Sequence, residues 1–110
     1  MPRRLLRDIP SYHDARALLG RSYGWQRRFP EARTVLTGLV QRALQFVDGY
    51  VALADIERWD ERPQASLAVV DSGLRRFPRQ EELLQARLRA LAAIGSARNG
   101  SRQQPAPVRP

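Results

Sequence analysis

The sequence contains no cysteine and no lysine, and its 110 residues include a single histidine. Without cysteine the chain offers no disulfide and no thiolate that could act as a nucleophile or metal ligand. His13 has no histidine or cysteine partner for a metal site or a catalytic dyad, so we interpret it as a surface or capping residue. No run of 18 apolar residues is present, and the sequence therefore predicts no transmembrane helix.

Residues that often mark catalytic sites are present but do not form a recognisable catalytic group. The serines have no accompanying triad, and the glycines do not form a phosphate-binding loop. Asp60 and Glu61 are adjacent, so on a helix their carboxylates would point in different directions; we expect both in the turn before Pro63. The sequence therefore predicts neither an enzyme nor a cofactor or metal site.

The positive charge is concentrated at the two ends of the chain. The 19 arginines and 11 acids give a net charge of +8, yet residues 8–95 carry 13 of the arginines and all 11 acids, a net of +2. Arginine-rich ends favour salt-sensitive, non-specific binding to nucleic acid. We keep nucleic-acid binding as an alternative to a protein partner. The basic start, residues 1–7, has no apolar segment behind it and does not resemble a signal peptide.

A repeat with a period of about 34 residues organises the chain, and Trp25 and Trp59 mark it most clearly. Three further pairs share the spacing of the two tryptophans: Leu19 and Leu53, Gly20 and Ala54, and Ala32 and Ser66. Apolar residues recur at helical intervals in each unit. We predict five helices: about Tyr12 to Gln26, one from Pro30, one capped by Asp48 after a break at Asp48-Gly49, Pro63 to Phe77, and Glu81 to Ile94.

Local signals refine these helices. Ser11 is expected to be the first N-cap and Gly95 the C-terminal stop of the fifth helix. Gly20 and Gly73 are interpreted as close helix-packing sites. The fifth helix has no partner after it, so its apolar face would meet water and favour a homo-oligomer; this face holds Leu84, Leu88 and Leu91.

The repeat resembles the tetratricopeptide family in its residues as well as in its period. At the family's characteristic positions the first unit has Leu19, Gly20, Tyr23 and Ala32, and the second has Leu53, Ala54, Ser66 and Pro78. Glu57 stands where the family has an aromatic residue. The resemblance implies an all-α fold of antiparallel helix pairs, stacked as a short right-handed α-solenoid of about two and a half repeats. We assign residues 1–10 to the end of a preceding helix, 11–95 to the repeats and 96–110 to a disordered tail.

Two segments, 19–26 and 52–59, are similar to repeats of YaiO-type and exopolysaccharide-secretion outer-membrane proteins of bacteria. This resemblance implies a scaffold in an envelope export or polysaccharide secretion assembly. The chain is expected to be periplasmic if it is a piece of such a protein and cytoplasmic if it is complete.

The family resemblance also implies a binding groove lined by the first helix of each unit. A protein or peptide partner would lie there. By their place in the repeat unit, the residues that the resemblance assigns to this groove are Ala17, Arg21, Gly24, Trp25, Val51, Asp55, Arg58, Trp59, Gln85 and Arg89. The tryptophans could instead pack between units, and Arg58 could pair with Asp55 or Asp14. Alternatively, Arg21, Arg58 and Arg89 could form forked hydrogen bonds with a partner's carboxylates.

Overall fold

The computed structural model describes residues 10–98, and this part of the chain is entirely helical apart from short turns. The helices are α1 (Pro10–Trp25), α2 (Phe29–Arg42), α3 (Val47–Trp59), α4 (Pro63–Arg76) and α5 (Glu81–Arg98). No strand occurs among the described residues. The prediction of an all-α fold is confirmed.

Proline and two left-handed residues set the turns between the helices. Pro30 lies in the first turn of α2 and Pro63 begins α4, where a missing N–H would have no helical partner in any case. Arg27 and Glu61 both have φ of 61°, just after α1 and α3. A left-handed residue after a helix turns the chain sharply. The two turns therefore share one backbone conformation and lie one repeat apart.

The repeat spacing recurs in the helix boundaries and in the backbone hydrogen bonds. The first residues of α2 and α4, Phe29 and Pro63, lie one repeat apart, as do those of α3 and α5. Bonds of the same kind recur as pairs: Arg28 N–H to Tyr23 and Arg62 N–H to Glu57, Arg27 N–H to Gly24 and Glu61 N–H to Arg58, Ala43 N–H to Leu39 and Phe77 N–H to Gly73.

The helices pack in two layers with α3 at the centre. Helix α3 contacts α1, α2, α4 and α5, whereas α2 and α4 do not contact each other within residues 10–98. Helices α1, α3 and α5 thus lie side by side, with α2 and α4 on one side of them. Leu36 and Ile56 are fully buried between α1, α2 and α3, and Val70 is fully buried in the next cluster with Ala54 and Ala86.

Glycine allows close contact between helices at two predicted positions. At Gly20 an added Cβ would lie 2.5 Å from Cδ2 of Leu36, and at Gly73 it would lie 3.1 Å from Tyr50 and 3.2 Å from Leu83. The prediction that Gly20 and Gly73 are close packing sites is confirmed. Gly24, assigned to the groove by the sequence, is a third such site, because its added Cβ would overlap Ile56.

Three predicted helix ends are wrong. Ser11 lies inside α1, and Asp48 and Gly49 lie inside α3, whose N-cap is Phe46. Helix α5 continues through Gly95 to Arg98, since one glycine costs a helix only about 1 kcal/mol. Residues 96–98 therefore belong to α5 rather than to a tail. The rest of the predicted tail, and residues 1–9, lie outside the described residues.

Candidate partner-binding face

Three residues at equivalent places in α1, α3 and α5 meet on the layer that these three helices form. Arg21, Asp55 and Arg89 follow one another at the repeat spacing. A guanidinium nitrogen of Arg21 lies 3.9 Å from Oδ2 of Asp55, and one of Arg89 lies 3.7 Å from Oδ1. The side-by-side packing of α1, α3 and α5 thus turns a sequence repeat into a cluster around one carboxylate. We call this cluster, with Asp48 and Arg58, the arginine face.

Asp48 and Arg58 complete the arginine face. Arg21 donates two hydrogen bonds to Asp48, of 2.9 Å and 3.2 Å, in a bidentate pair. Arg58 donates one of 3.1 Å to Oδ1 of Asp55. Asp48 and Asp55 are two helical turns apart on α3, so their side chains point to the same side. The acids hold the guanidinium groups of Arg21 and Arg58 in fixed positions.

The arginine face keeps a net positive charge, because three guanidinium groups surround two carboxylates. Arg21, Asp55 and Arg58 are largely covered, with side chains 14–21% exposed. The side chain of Arg89 is 41% exposed, and its contact with Asp55 is longer than a hydrogen bond. Arg89 therefore presents N–H donors to the solvent beside a pre-arranged charged cluster.

The other residues predicted for the groove are not all accessible. Trp59 packs on the core, its ring carbons 3.2 Å and 3.3 Å from an added Cβ at Gly24, which favours the alternative of packing between units. Trp25 is half-buried. Val51 is only 9% exposed and packs with Tyr50 and Leu83. It does not belong to an accessible groove.

Ala17, Gly24 and Gln85 complete the predicted groove residues. Ala17 is 1% exposed, and Gly24 is buried. Both belong to the packing between helices, because small residues allow the neighbouring helices to approach. Gln85 is exposed and donates a hydrogen bond to Glu81 in its own helix. Gln85 is therefore accessible to a partner, unlike the two small residues.

Sequence reasoning missed a second charged cluster between α2 and α3. Glu57 is 6% exposed and accepts two hydrogen bonds of 3.0 Å from Arg33, which also donates one of 2.8 Å to Asp60. The hydrogen bonds from Arg33 to Glu57 raise the pKa of Arg33 against the opposing effect of burial, and the hydrogen bond to Asp60 adds to this. Arg62 lies 3.6 Å from Glu57. The sequence signal for this cluster was Glu57 itself, an acid at a position where the tetratricopeptide pattern has an aromatic residue.

Asp48 was also missed as part of the arginine face, because it was interpreted as a helix cap. Its separation of seven residues from Asp55 was the signal in the sequence, since such residues share a helix face. Asp60 and Glu61 lie in the turn before Pro63, as predicted. Asp60 pairs with Arg33.

His13 lies at the edge of an open depression of about 510 Å³, lined also by Arg42, Leu44 and Phe46 among others. Its ring centroid is 5.5 Å from that of Phe46. This arrangement agrees with a packing role at the surface. Among residues 10–98 no group of histidine and acidic side chains has the arrangement of a metal site. None of the helices in this range combines the length and the apolar character required to cross a membrane.

Comparison with known proteins adds no relative. No protein-family model, curated protein or solved structure matches this chain. The arginine face therefore has to be interpreted from its own chemistry.

Proposed function

We propose that the chain is a tetratricopeptide-type repeat module that binds an acidic segment of another protein at the arginine face. The observation that carries the proposal is the convergence of Arg21, Asp55 and Arg89, which hold one place in three successive first helices. Of these three residues Arg89 is the exposed one, and stacked helical repeats use the surface formed by successive first helices to recognise an extended chain. The role is binding and not catalysis.

In this proposal α1 and α2 form one unit, α3 and α4 form the second, and α5 is the first helix of a third. The units would wind as a right-handed solenoid of about two and a half antiparallel helix pairs. Support comes from the recurrence of helix boundaries, turn residues and backbone hydrogen bonds at the repeat spacing. The short turns also favour antiparallel neighbours.

An acidic ligand is favoured by the charge balance of the arginine face. Arginine forms bidentate hydrogen bonds with carboxylates, and arginine is common at binding hot spots. The exposed donors of Arg89 would make the first contact. Asp48 and Asp55 would keep Arg21 and Arg58 in place for further contacts. A basic ligand would meet the net positive charge and bind less well.

The test is the binding of immobilised ten-residue peptides that have equal apolar content and are acidic, neutral or basic. We expect the wild-type chain to be retained on the acidic peptides. Arg89→Ala should lower the affinity about 5- to 30-fold, because it removes one exposed charge-assisted contact of about 1–2 kcal/mol. Arg87→Ala is the matched control. Arg87 lies on the same helix with a similar exposure of 44% and pairs with Asp71.

The proposal is wrong if no acidic peptide binds, or if Arg87→Ala and Arg89→Ala weaken binding equally. Equal losses would indicate a general effect of net charge. Salt-resistant binding to RNA in the same assay would favour the nucleic-acid alternative.

The cellular setting belongs to the proposal as well. The resemblance of residues 19–26 and 52–59 to repeats of exopolysaccharide-secretion proteins favours an envelope export or polysaccharide secretion assembly. The partner would then be an acidic segment of another component of that assembly. Fractionation of cells that express the native gene tests this setting, and recovery of the protein only in the cytoplasm would contradict it.

A further inference from the structure

Helix α5 exposes a stripe of three leucines. Leu84, Leu88 and Leu91 are 43%, 67% and 39% exposed, and their spacing of four and then three residues puts them on one face. On the opposite side of α5, Leu83, Ala86 and Ala90 are buried. Within residues 10–98 nothing covers the leucine stripe. An apolar row of this kind on a surface helix marks a contact surface.

The middle residue of the leucine stripe restricts what can cover it. Leu88 stands one repeat after Ala54 and two repeats after Gly20, two small residues that contact the helix that follows their own. Leu36 fills the space beside Gly20, and the Ser66 hydroxyl donates a 2.7 Å hydrogen bond to the Ala54 carbonyl.

The side chain of Leu88 would occupy the space of those contacts. A further helix therefore cannot pack on α5 in the way that α4 packs on α3. The covering helix must lie further away and meet the leucines with its own side chains. Spacings of four and three residues are those of a helix pair with interlocking side chains.

The charges of α5 favour an antiparallel second copy as this helix. Its acids, Glu81 and Glu82, lie in the first turn, whereas Arg87 and Arg89 lie near the middle. Antiparallel pairing of two α5 helices would keep the two acidic ends apart and would align opposite ends of the helix dipoles. Parallel pairing would place the two acidic ends side by side.

Residues 99–110, which follow α5, offer little that could cover the stripe. Their only aliphatic side chains apart from proline are Ala106 and Val108. A second copy, in contrast, supplies three more leucines. We propose that two copies of this chain pair through the leucine stripe of α5, antiparallel and related by a twofold axis near Leu88. In such an interface each copy contributes the same surface.

The interface is small, since one helix from each copy contributes to it. Interfaces below the standard size are weak, and we expect a dissociation constant on the order of tens of micromolar. Sedimentation velocity over a concentration series that spans this range measures it directly. The wild-type chain should pass from monomer to dimer.

Two variants test whether the leucine stripe is responsible. Leu88→Glu should weaken dimerisation at least tenfold, because it buries a charge at the centre of the interface. Leu18→Glu is the matched control, since Leu18 is 55% exposed on α1, outside the stripe, and dimerisation should be unchanged. Circular dichroism checks that both variants remain helical. A wild-type chain that stays monomeric, or an unchanged dimer in Leu88→Glu, overturns the proposal.

The orientation can be tested because the chain has no cysteine. Glu81→Cys and Gly95→Cys place single thiols near the two ends of the stripe, and an added Cβ at Gly95 meets no atom within 4 Å. In a mixture of the two variants the disulfide between residues 81 and 95 should form faster than either disulfide between identical positions. Preferred pairing of identical positions would indicate a parallel dimer and overturn the antiparallel arrangement.

Discussion

Replacing Gly20 with alanine tests the close packing of α1 on α2. An added Cβ would lie 2.5 Å from Cδ2 and 2.9 Å from Cδ1 of Leu36, which is fully buried. Because protein cores are densely packed, a shift of Leu36 would displace its neighbours. Such overpacking typically costs about 1–3 kcal/mol. The alanine also gains about 0.5–1 kcal/mol from its higher helix propensity.

The net expectation for Gly20→Ala is a loss of about 1–2 kcal/mol in the free energy of unfolding, from these two opposing effects. In a domain of this size such a loss lowers Tm by roughly 5–10 °C. Gly38→Ala is the matched control. Gly38 lies inside α2, and an added Cβ there meets no atom within 4 Å. We expect that variant to gain about 0.5–1 kcal/mol from helix propensity alone.

Urea unfolding followed by circular dichroism measures both variants. The two should differ in sign, and their free energies of unfolding should differ by about 2 kcal/mol. If Gly20→Ala were as stable as Gly38→Ala, α1 and α2 would not be in close contact at Gly20, and the packing described above would be wrong.

Two further predictions concern charged residues. Arg33→Leu should lower the free energy of unfolding by about 2–3 kcal/mol, because buried Glu57 then keeps only Arg62 nearby. Arg33→Leu combined with Glu57→Leu should recover most of this loss. Additive losses in urea unfolding would contradict this. Hydrogen bonding to its own backbone amide, and then to Arg28, lowers the pKa of Glu31. The stabilising effect of ionised Glu31 should be present at neutral pH and disappear as the pH falls through that lowered pKa. An NMR titration in which Glu31 has the ordinary pKa of a glutamate would refute this.

The five helices could be predicted from the sequence because they depend on local signals. Trp25 and Trp59 fixed the period, and Pro30 and Pro63 marked the starts of the second helices, since proline fits the first turn of a helix. Gly20 stood out as a small residue among apolar neighbours. Each signal acts within a few residues of its position, so it can be read before the tertiary contacts are known.

The errors fall where tertiary contacts decide the outcome. Aspartate is a common helix cap, but the carboxylate of Asp48 binds Arg21 on another helix. Val51 follows the family's groove position, yet α5 packs over it at Leu83. Glu57 looked like a departure from the family pattern, and only the proximity of Arg33 explains how it is buried. Such pairings join residues that are distant in sequence and leave no periodic signal.

The most direct measurement of the central claim is a map of amide chemical shifts in the labelled chain on titration with an acidic ten-residue peptide. The proposal predicts that the largest changes lie on α1, α3 and α5, around Asp55 and Arg89, and that Arg89→Ala reduces them while Arg87→Ala does not. Changes confined to α2 and α4, or no saturable changes, would contradict the assignment of the arginine face as the binding site.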